Sequence, residues 1–431
     1  MTLKAKYIYM VGVGGIGMSA LAQFFKHQEK RVSGSDREES PTTKLLSEKG
    51  IEVWVGSDEC HIPADAELLV YSDAVPEDNA ERERAREMGV PEMSYFDALG
   101  EVSKSARTIA VAGTHGKTTT TGMIAKILHD AGEEPTAIIG SIVADFGSNF
   151  LAGKPDLFVV EACEYRDHLL KLVPQVLVIT NIELDHTDFF PNLKAVQETF
   201  RKAVENVPVD GVIVANPNDP NVSSVLKDAR ACVVDYTSKA VGSLLLVGEF
   251  NKQNARAALA AALATAPSLS PEAAVKSLSE FKGSWRRFEY KGETSNGALV
   301  YDDYAHHPTA AAMTIVAARE KFPGKKIIVA FHPHLYSRTR DFMDEFAKAL
   351  SLADEVVLAP IYAAREEPID GVTSEKLAEK IIALDTPVRT FKSLHDIYTY
   401  FTTNYELLTT NYLIITMGAG DVYKVAEQIA E

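Results

Sequence analysis

Two short apolar runs in this chain each break directly into a glycine-rich loop, and that pairing narrows the available folds more than any other feature. Tyr7–Val11 leads into Gly12-Val13-Gly14-Gly15-Ile16-Gly17, and Thr108–Ala112 leads into Gly113-Thr114-His115-Gly116-Lys117-Thr118. An aliphatic run that ends in glycines and resumes with helix formers reads as strand, tight turn and helix. At such a junction backbone N–H groups and a helix N-terminus converge on the carboxyl end of a strand, where phosphate binds. Each loop alone points to a different kind of protein. The GxGxxG loop suggests a dinucleotide-binding oxidoreductase, and the shortened Walker-type loop a nucleoside triphosphatase. Together they suggest an enzyme that holds a nucleotide-tagged substrate and uses a triphosphate on it.

The remainder of the chain continues the rhythm. Strands are expected at 7–11, 31–34 and 67–71, with helices at 18–27, 42–49 and 81–88. After a polar stretch near 100–107, a helix at 118–131 and strands at 157–161, 176–181 and 211–216 follow, then an alanine-rich helix at 251–265. Gly283–Arg287 reads as a hinge into strands at 299–301, 326–331, 355–358, 388–391 and 412–416, separated by helices. Alternating strands and helices favour parallel sheets with sites at strand carboxyl ends. With 431 residues the expectation is three α/β domains in series, at 1–104, 105–284 and 285–431.

Composition narrows the partners. Hydrophobic residues make up 46%, as in a soluble globular protein, and the net charge of −16 argues against nucleic acid or an anionic membrane. Cys60, Cys163 and Cys232 lie far apart with no CxxC spacing, which indicates neither a disulfide framework nor structural zinc. No apolar run of about 18 residues suggests a membrane span, and the N-terminus reads as strand and turn. The expected location is the cytoplasm, as a monomer or weak homodimer.

Individual side chains then suggest chemistry. Asp36, about 20 residues after the first loop at the end of the next strand, suits a ribose hydroxyl, although a plain tight turn would use the same glycines. In the second loop Lys117 is placed to reach β- and γ-phosphate oxygens, and Thr118 to put its hydroxyl on Mg2+. Glu161 ends one buried strand and the run Asn181–His186 ends another. Carboxylates at neighbouring strand ends beside a phosphate loop suit a hard cation. Glu161 is the metal candidate; His186 reads equally as a ligand or as a satisfied structural histidine. In the third domain Asp302–Pro308 and Phe331–Arg340 each follow a strand and open a helix. Arg338 suits a bidentate clamp on a carboxylate, and the histidines suit either orienting an amine or stabilising an oxyanion. The blander alternative is a helix capped by Asp303 amid solvated charge. Gly418-Ala419-Gly420-Asp421 closes the last strand as another turn.

These motifs resemble the Mur ligases, the ATP-dependent amide-forming enzymes of peptidoglycan precursor synthesis. The resemblance covers essentially the whole chain: GVGGIGMSA, SDAVPEDN, GTHGKTTTT, VVEACEYRDH, TNIELDH, GEFNKQNA, RRFE, DDYAHHPT, PHLYSRT, IYAAREEPIDGVTS and MGAGD occur in the family's order. DDYAHHPT and IYAAREEP are the specific ones, and the dinucleotide-like loop the least. The resemblance implies a Rossmann-like first domain that binds UDP rather than NAD, a central P-loop-type ATP-binding domain, and a Rossmann-like C-terminal domain for the amino acid. It places Gly14, Gly15, Ile16, Gly17, Met18, Asp36 and Ser72 around the nucleotide of UDP-N-acetylmuramate. Gly113, Thr114, His115, Gly116, Lys117, Thr118 and Thr119 would hold ATP, with Asn251, Asn254, Arg287 and Asp303 reaching it. Thr118, Glu161 and His186 would bind Mg2+, with Mn2+ as a substitute. Tyr304, His306, His334 and Arg338 would surround L-alanine. Lys117, His186, His306 and Arg338 would carry the catalysis.

The reaction so implied joins L-alanine to the lactyl carboxylate of UDP-N-acetylmuramate through an acyl phosphate, with the third domain closing over the central one. Two departures stand out. Leu335 replaces the Arg that many members have after the His of PHxY, and the 217–247 segment is short, so a small β-rich excursion before GEFN is expected to be missing. Three rivals remain: a sibling ligase that attaches a recycled tripeptide, a nicotinamide oxidoreductase, and a P-loop switch without chemistry of its own.

Overall fold

The computed structural model describes residues 4–364, 366–404 and 409–430, so Arg365 of the IYAAREEP motif lies outside the described residues. Three sheets form in chain order. The first contains Tyr7–Val11 (β1), Arg31–Asp36 (β2), Glu52–Val55 (β3), Leu68–Tyr71 (β4) and Glu92–Ser94 (β5), all parallel, in the order β3-β2-β1-β4-β5. β1 is buried along its whole length because strands lie on both sides and helices cover both faces. The chain runs from β1 outward through β2 to β3 and then crosses to β4 on the other side of β1, which makes the carboxyl end of β1 a topological switch point.

The second sheet contains Arg107–Ala112 (β6), Pro135–Val143 (β7), Ser148–Leu151 (β8), Lys154–Glu161 (β9), Val176–Ile179 (β10), Val212–Ala215 (β11) and Cys232–Asp235 (β12). Their order is β12-β11-β10-β6-β9-β7-β8, parallel except for the hairpin β7–β8. β6 is again central, between β9 and β10, and feeds the helix Lys117–Asp130 through the second glycine loop.

The third sheet contains Glu289–Glu293 (β13), Leu299–Asp303 (β14), Lys326–Phe331 (β15), Glu355–Leu358 (β16), Val388–Thr390 (β17) and Tyr412–Met417 (β18), ordered β13-β14-β18-β15-β16-β17. Only β13 is antiparallel. Its core is the aliphatic and aromatic set around Ile315, Ile327, Val329, Phe331, Phe346 and Ile415.

Several elements differ from the sequence reading. The stretch expected to be polar near 100–107 begins inside a helix, Tyr95–Ser103, capped by Ser94. β14 runs on through Asp302 and Asp303, which the residue pattern had placed past the strand. A buried carboxylate in a strand needs compensation, and Asp302 has it: Arg286 Nε donates to it at 2.8 Å. The helix after DDYAHH, Pro308–Lys321, is capped by the side chain of His307 and not by Asp303. Between 236 and 248 no strand forms.

Contacts divide the chain into two compact units. The first holds the first and second sheets, as Met1–Ile182, Val196–Leu244 and Gln253–Lys282. The second holds the third sheet together with Glu183–Ala195 and Leu245–Lys252. Among the described residues no helix is long and apolar enough to cross a membrane, and the three cysteines are free.

Candidate active site

In the first unit, the first glycine loop is shaped by the end of β2. Gly12 and Val13 both donate to the Ser35 carbonyl, at 2.9 and 3.0 Å, and Gly14 N–H donates to Asp36 Oδ2 at 2.8 Å. Asp36 therefore braces the loop, and a ribose hydroxyl would share that carboxylate. The helix Ile16–His27 starts at Gly15 with no side-chain cap, which leaves its first turn, including Gly17 and Met18, arranged as an anion-binding N-terminus. Ser72 packs against Gly12, where an added Cβ would stand 2.9 Å from the serine Cβ. Gly17 is required for close approach: a Cβ there would come within 2.5 Å of the Tyr95 hydroxyl. Burial pushes the Tyr95 phenol well above its ordinary range, and the charge of Glu161 adds to this. Tyr95 had no signal in the sequence, because its partner lies in a distant loop.

The second loop is cradled by the end of β10. Thr114 N–H donates to the Asn181 carbonyl at 3.1 Å, and His115 N–H to Asn181 Oδ1 at 2.9 Å. Thr180 Oγ1 donates to the His115 carbonyl at 2.6 Å. Gly116 sits at φ +84°, a left-handed conformation that glycine adopts without steric cost, and a Cβ there would meet Asn254 Oδ1 at 2.2 Å. Asn254 thus packs onto the loop. Asn251, on the same helix, is counted with the second unit and donates to Val247 O at 2.8 Å.

Lys117 folds back onto its own loop, donating to the carbonyls of Gly113 and Thr114 and pairing with Glu164 at 3.0 Å. Burial alone would lower the Lys117 ammonium, but the charge of Glu164 and its neighbours lifts it above its ordinary value, so it stays cationic. Glu164 lies in the same strand-end run as Glu161, three residues on, and the sequence suggested no role for it apart from that cluster of carboxylates. Thr118 Oγ1 donates to Glu161 Oε2 at 3.2 Å, and Gly140 N–H donates to Glu161 Oε1. A hydroxyl and a carboxylate brought together beside a phosphate loop are hard oxygen donors of the kind Mg2+ takes, so these two residues fit the expected cation. His186 is carried by the segment Glu183–Ala195 of the second unit at φ +51°.

The two sheets of the first unit are fastened by buried polar contacts. Asn149 on β8 is fully buried and donates to the Ile16 carbonyl and, at 2.9 Å, to Ser19 Oγ, while accepting from Gln23 Nε2 at 2.9 Å. His168 pairs with Asp73 at 2.7 Å and stacks on Phe96 with ring centroids 3.6 Å apart.

In the second unit, the carboxyl ends of β14 and β15 flank β18 and bring together the residues expected around the amino acid. His306 Nδ1 lies 3.0 Å from the Tyr304 carbonyl, which can only accept, so Nδ1 carries the proton. Burial and the charge of Arg338 hold His306 well below its ordinary pKa, so the ring is neutral and Nε2 is its basic nitrogen. The rings of His306 and His334 meet edge to face at 6.0 Å. Arg338 is 3% exposed and donates through Nε and Nη2 to Asp185 Oδ1, at 3.0 and 2.7 Å, and through Nη1 to His334 Nδ1 at 3.1 Å. The guanidinium expected to clamp a substrate carboxylate is thus already on a carboxylate of its own chain. Burial would raise Asp185, but Arg338 and three histidines pull it well below the usual carboxylate range.

The IYAAREEP segment supports this cluster. Tyr362 stacks on His334, and Glu366 accepts from the Ser337 N–H at 2.9 Å at the start of the helix Tyr336–Asp341. Leu335, at the position where an arginine was missed, is 2% exposed and held at φ +67° by its N–H to the Tyr362 carbonyl at 2.9 Å. Its side chain therefore belongs to the core. Arg287 lies over the Tyr304 ring at 5.0 Å. Asp303 accepts from Phe288 and Ala305 N–H, both at 2.7 Å, and burial pushes its carboxyl up to about 6 against the opposing charge of Arg287.

Three family models match in succession: the Mur ligase family catalytic domain at residues 7–107, the middle domain at 111–243, and the Mur ligase glutamate ligase domain at 286–420. A UDP-N-acetylmuramate–L-alanine ligase of Clostridium botulinum is 36% identical over 453 aligned positions, spanning 98% of this chain and 97% of its own. This chain belongs to the Mur ligase family. As a Mur ligase it has its three matched regions centred on the three sheets in turn. Among solved structures, the UDP-N-acetylmuramate–alanine ligase of Thermotoga maritima matches with a TM-score of 0.80 at 28% identity, covering 98% of both chains. A murein peptide ligase of Psychrobacter arcticus matches at 0.73 and 26%, covering 99% of both.

Proposed function

We propose that this Mur ligase joins L-alanine to the lactyl carboxylate of UDP-N-acetylmuramate, converting ATP to ADP and phosphate. The observation that carries the choice of amine is the full-length 36% identity to a protein named for that reaction. The proposed division of labour follows the three stretches 1–104, 105–284 and 285–431, for sugar nucleotide, ATP and amino acid.

A carboxylate is a poor electrophile, and the first step corrects this. Its oxygen attacks the γ-phosphorus, the bond to the β-γ bridging oxygen breaks, and ADP leaves an acyl phosphate. Lys117, swung from Glu164 onto the γ-phosphate, would balance charge gathering there. Thr118, Glu161 and His186 are the residues proposed to hold Mg2+, which when bound neutralises phosphate oxygens. In the second step the α-amine attacks the acyl carbon and phosphate departs. The amine arrives as an ammonium and must lose a proton. A neutral His306 offers Nε2 as an acceptor that can orient an amine N–H, whereas stabilising an oxyanion needs a donor. His306 is therefore assigned to the amine. The location consistent with this reading is the cytoplasm, where ATP and UDP-sugars are found.

ADP release measured with UDP-N-acetylmuramate across amino acids and the murein tripeptide tests the reading. L-Alanine should give the highest kcat/KM, with glycine and serine behind it. Faster turnover with the tripeptide would transfer the chain to the sibling activity. Release indifferent to any amine, or saturable NADH binding, would end the proposal.

A further inference from the structure

Asp185 takes no part in the two chemical steps, yet its carboxylate is heavily engaged. It is 5% exposed, and one oxygen, Oδ1, receives three N–H groups: Nε and Nη2 of Arg338 and, at 2.6 Å, the backbone N–H of His186. We propose that Asp185 is a positioning residue for the amine half-reaction, holding the Arg338 guanidinium so that its Nη1 fixes the His334 imidazole beside His306. This rests on the reading that Tyr304, His306, His334 and Arg338 receive the amino acid.

The geometry supports it link by link. A guanidinium on a long flexible side chain has many orientations. Two of its nitrogens converging on one oxygen leave it very few. That oxygen is itself held, because His186 adopts φ +51°, which turns its N–H back onto the preceding side chain. The third nitrogen then points at His334 Nδ1 at 3.1 Å, and since arginine only donates, Nδ1 is the acceptor. The tautomer and the angle of His334 both follow from a carboxylate 149 residues earlier in the chain than the histidine it orients, a span read directly from their positions. The helix carrying Arg338 is anchored separately, through Ser337 on Glu366. Loss of Asp185 should therefore release the side chain without releasing the helix.

A double-mutant cycle tests this, read as KM for L-alanine and KM for ATP in the ADP-release assay on the full chain. Asp185→Ala and Arg338→Ala should each raise KM for alanine about 100-fold, as misplacement by about an ångström does, with KM for ATP unchanged. The double variant should be no worse than the poorer single variant, because both remove one unit. Asp185→Asn keeps an oxygen for the same donors and should stay within roughly tenfold of wild type. Losses that multiply in the double variant would overturn the proposal, as would equal losses toward ATP and alanine, or an unchanged alanine KM. Where Asp185→Ala fails to fold, Asp185→Asn with Arg338→Ala completes the same cycle under the same criteria. A wild type whose ADP release ignores alanine defeats the functional reading and this role with it. A wild type that responds to alanine but gives a multiplicative cycle defeats this role alone.

Discussion

Two buried cation–carboxylate pairs, Lys117–Glu164 in the first unit and Arg338–Asp185 in the second, look alike on paper and differ in what they permit. The Lys117 side chain is 18% exposed and its partners are one carboxylate and two carbonyls of its own loop. An ammonium is a point charge with rotatable donors, so a phosphate can replace those partners at little geometric cost. The Arg338 side chain is 4% exposed and all three of its nitrogens are committed in a planar fork. Breaking such a pair on one side costs about 3–5 kcal/mol, so Arg338 works where it stands. One pair is a parked charge and the other a fixed frame.

That contrast is open to attack, beginning with the largest effect. Lys117→Ala should cut turnover by about 1,000-fold or more, as expected when a main electrostatic stabiliser of phosphoryl transfer is removed. A drop under tenfold in the ADP-release assay would mean that Lys117 only satisfies Glu164. Next comes Asp303, a buried carboxylate of the same unit as Asp185 that is held by two backbone N–H groups. Its folded pKa, about 6, stands above the ordinary 3.8, so the folded state holds its proton more tightly. The stability this gives is fully present below pH 3.8 and is lost as pH rises through about 6. The stability of wild type relative to Asp303→Asn, measured by urea unfolding, should therefore fall by about 3 kcal/mol from acid to neutral pH. A relative stability that rises over that range would reverse the assignment.

Arg338→Lys, which keeps the charge and loses the fork, should raise KM for alanine roughly 30-fold with ATP unaffected. An unaltered KM would show that charge alone suffices there. Glu164→Gln should have the smallest effect, less than about tenfold on KM for ATP and about 1–2 kcal/mol on stability, because two carbonyls still hold Lys117. A larger loss would make Glu164 part of the frame after all.

The parked charge was easier to read from sequence than the frame. β1, β6 and their glycine loops follow from local patterns, as do Lys117, Thr118 and Glu161, because strand, turn and helix lie within some ten residues of one another. Arg338 was visible as a cation, but not as a cation already spoken for: Asp185 lies 153 residues away, and only tertiary packing brings the two together. Tyr95 under Gly17 and Arg286 on Asp302 were hidden for the same reason. Asp303 offered itself as an alternative cap for the helix Pro308–Lys321, because Asp outranks His as an N-cap by propensity. Burial reversed that order, since Asp303 was needed by Phe288 and Ala305. Leu335 could be read as a lost arginine, yet nothing local says that the position faces the core.

The polar fastening of Asn149 to Ile16, Ser19 and Gln23 bears on how this protein can be cut. The residue pattern invites excision near position 104, as though the first sheet were a portable nucleotide reader. Severed there, Ser19 and Gln23 would lose the amide they share, and Asp73 its imidazole. The helix that begins at the first glycine loop would be left with an unsatisfied flank. What is written as two modules is one piece of architecture, and a fragment made from either half should be judged as a wound, not as a domain.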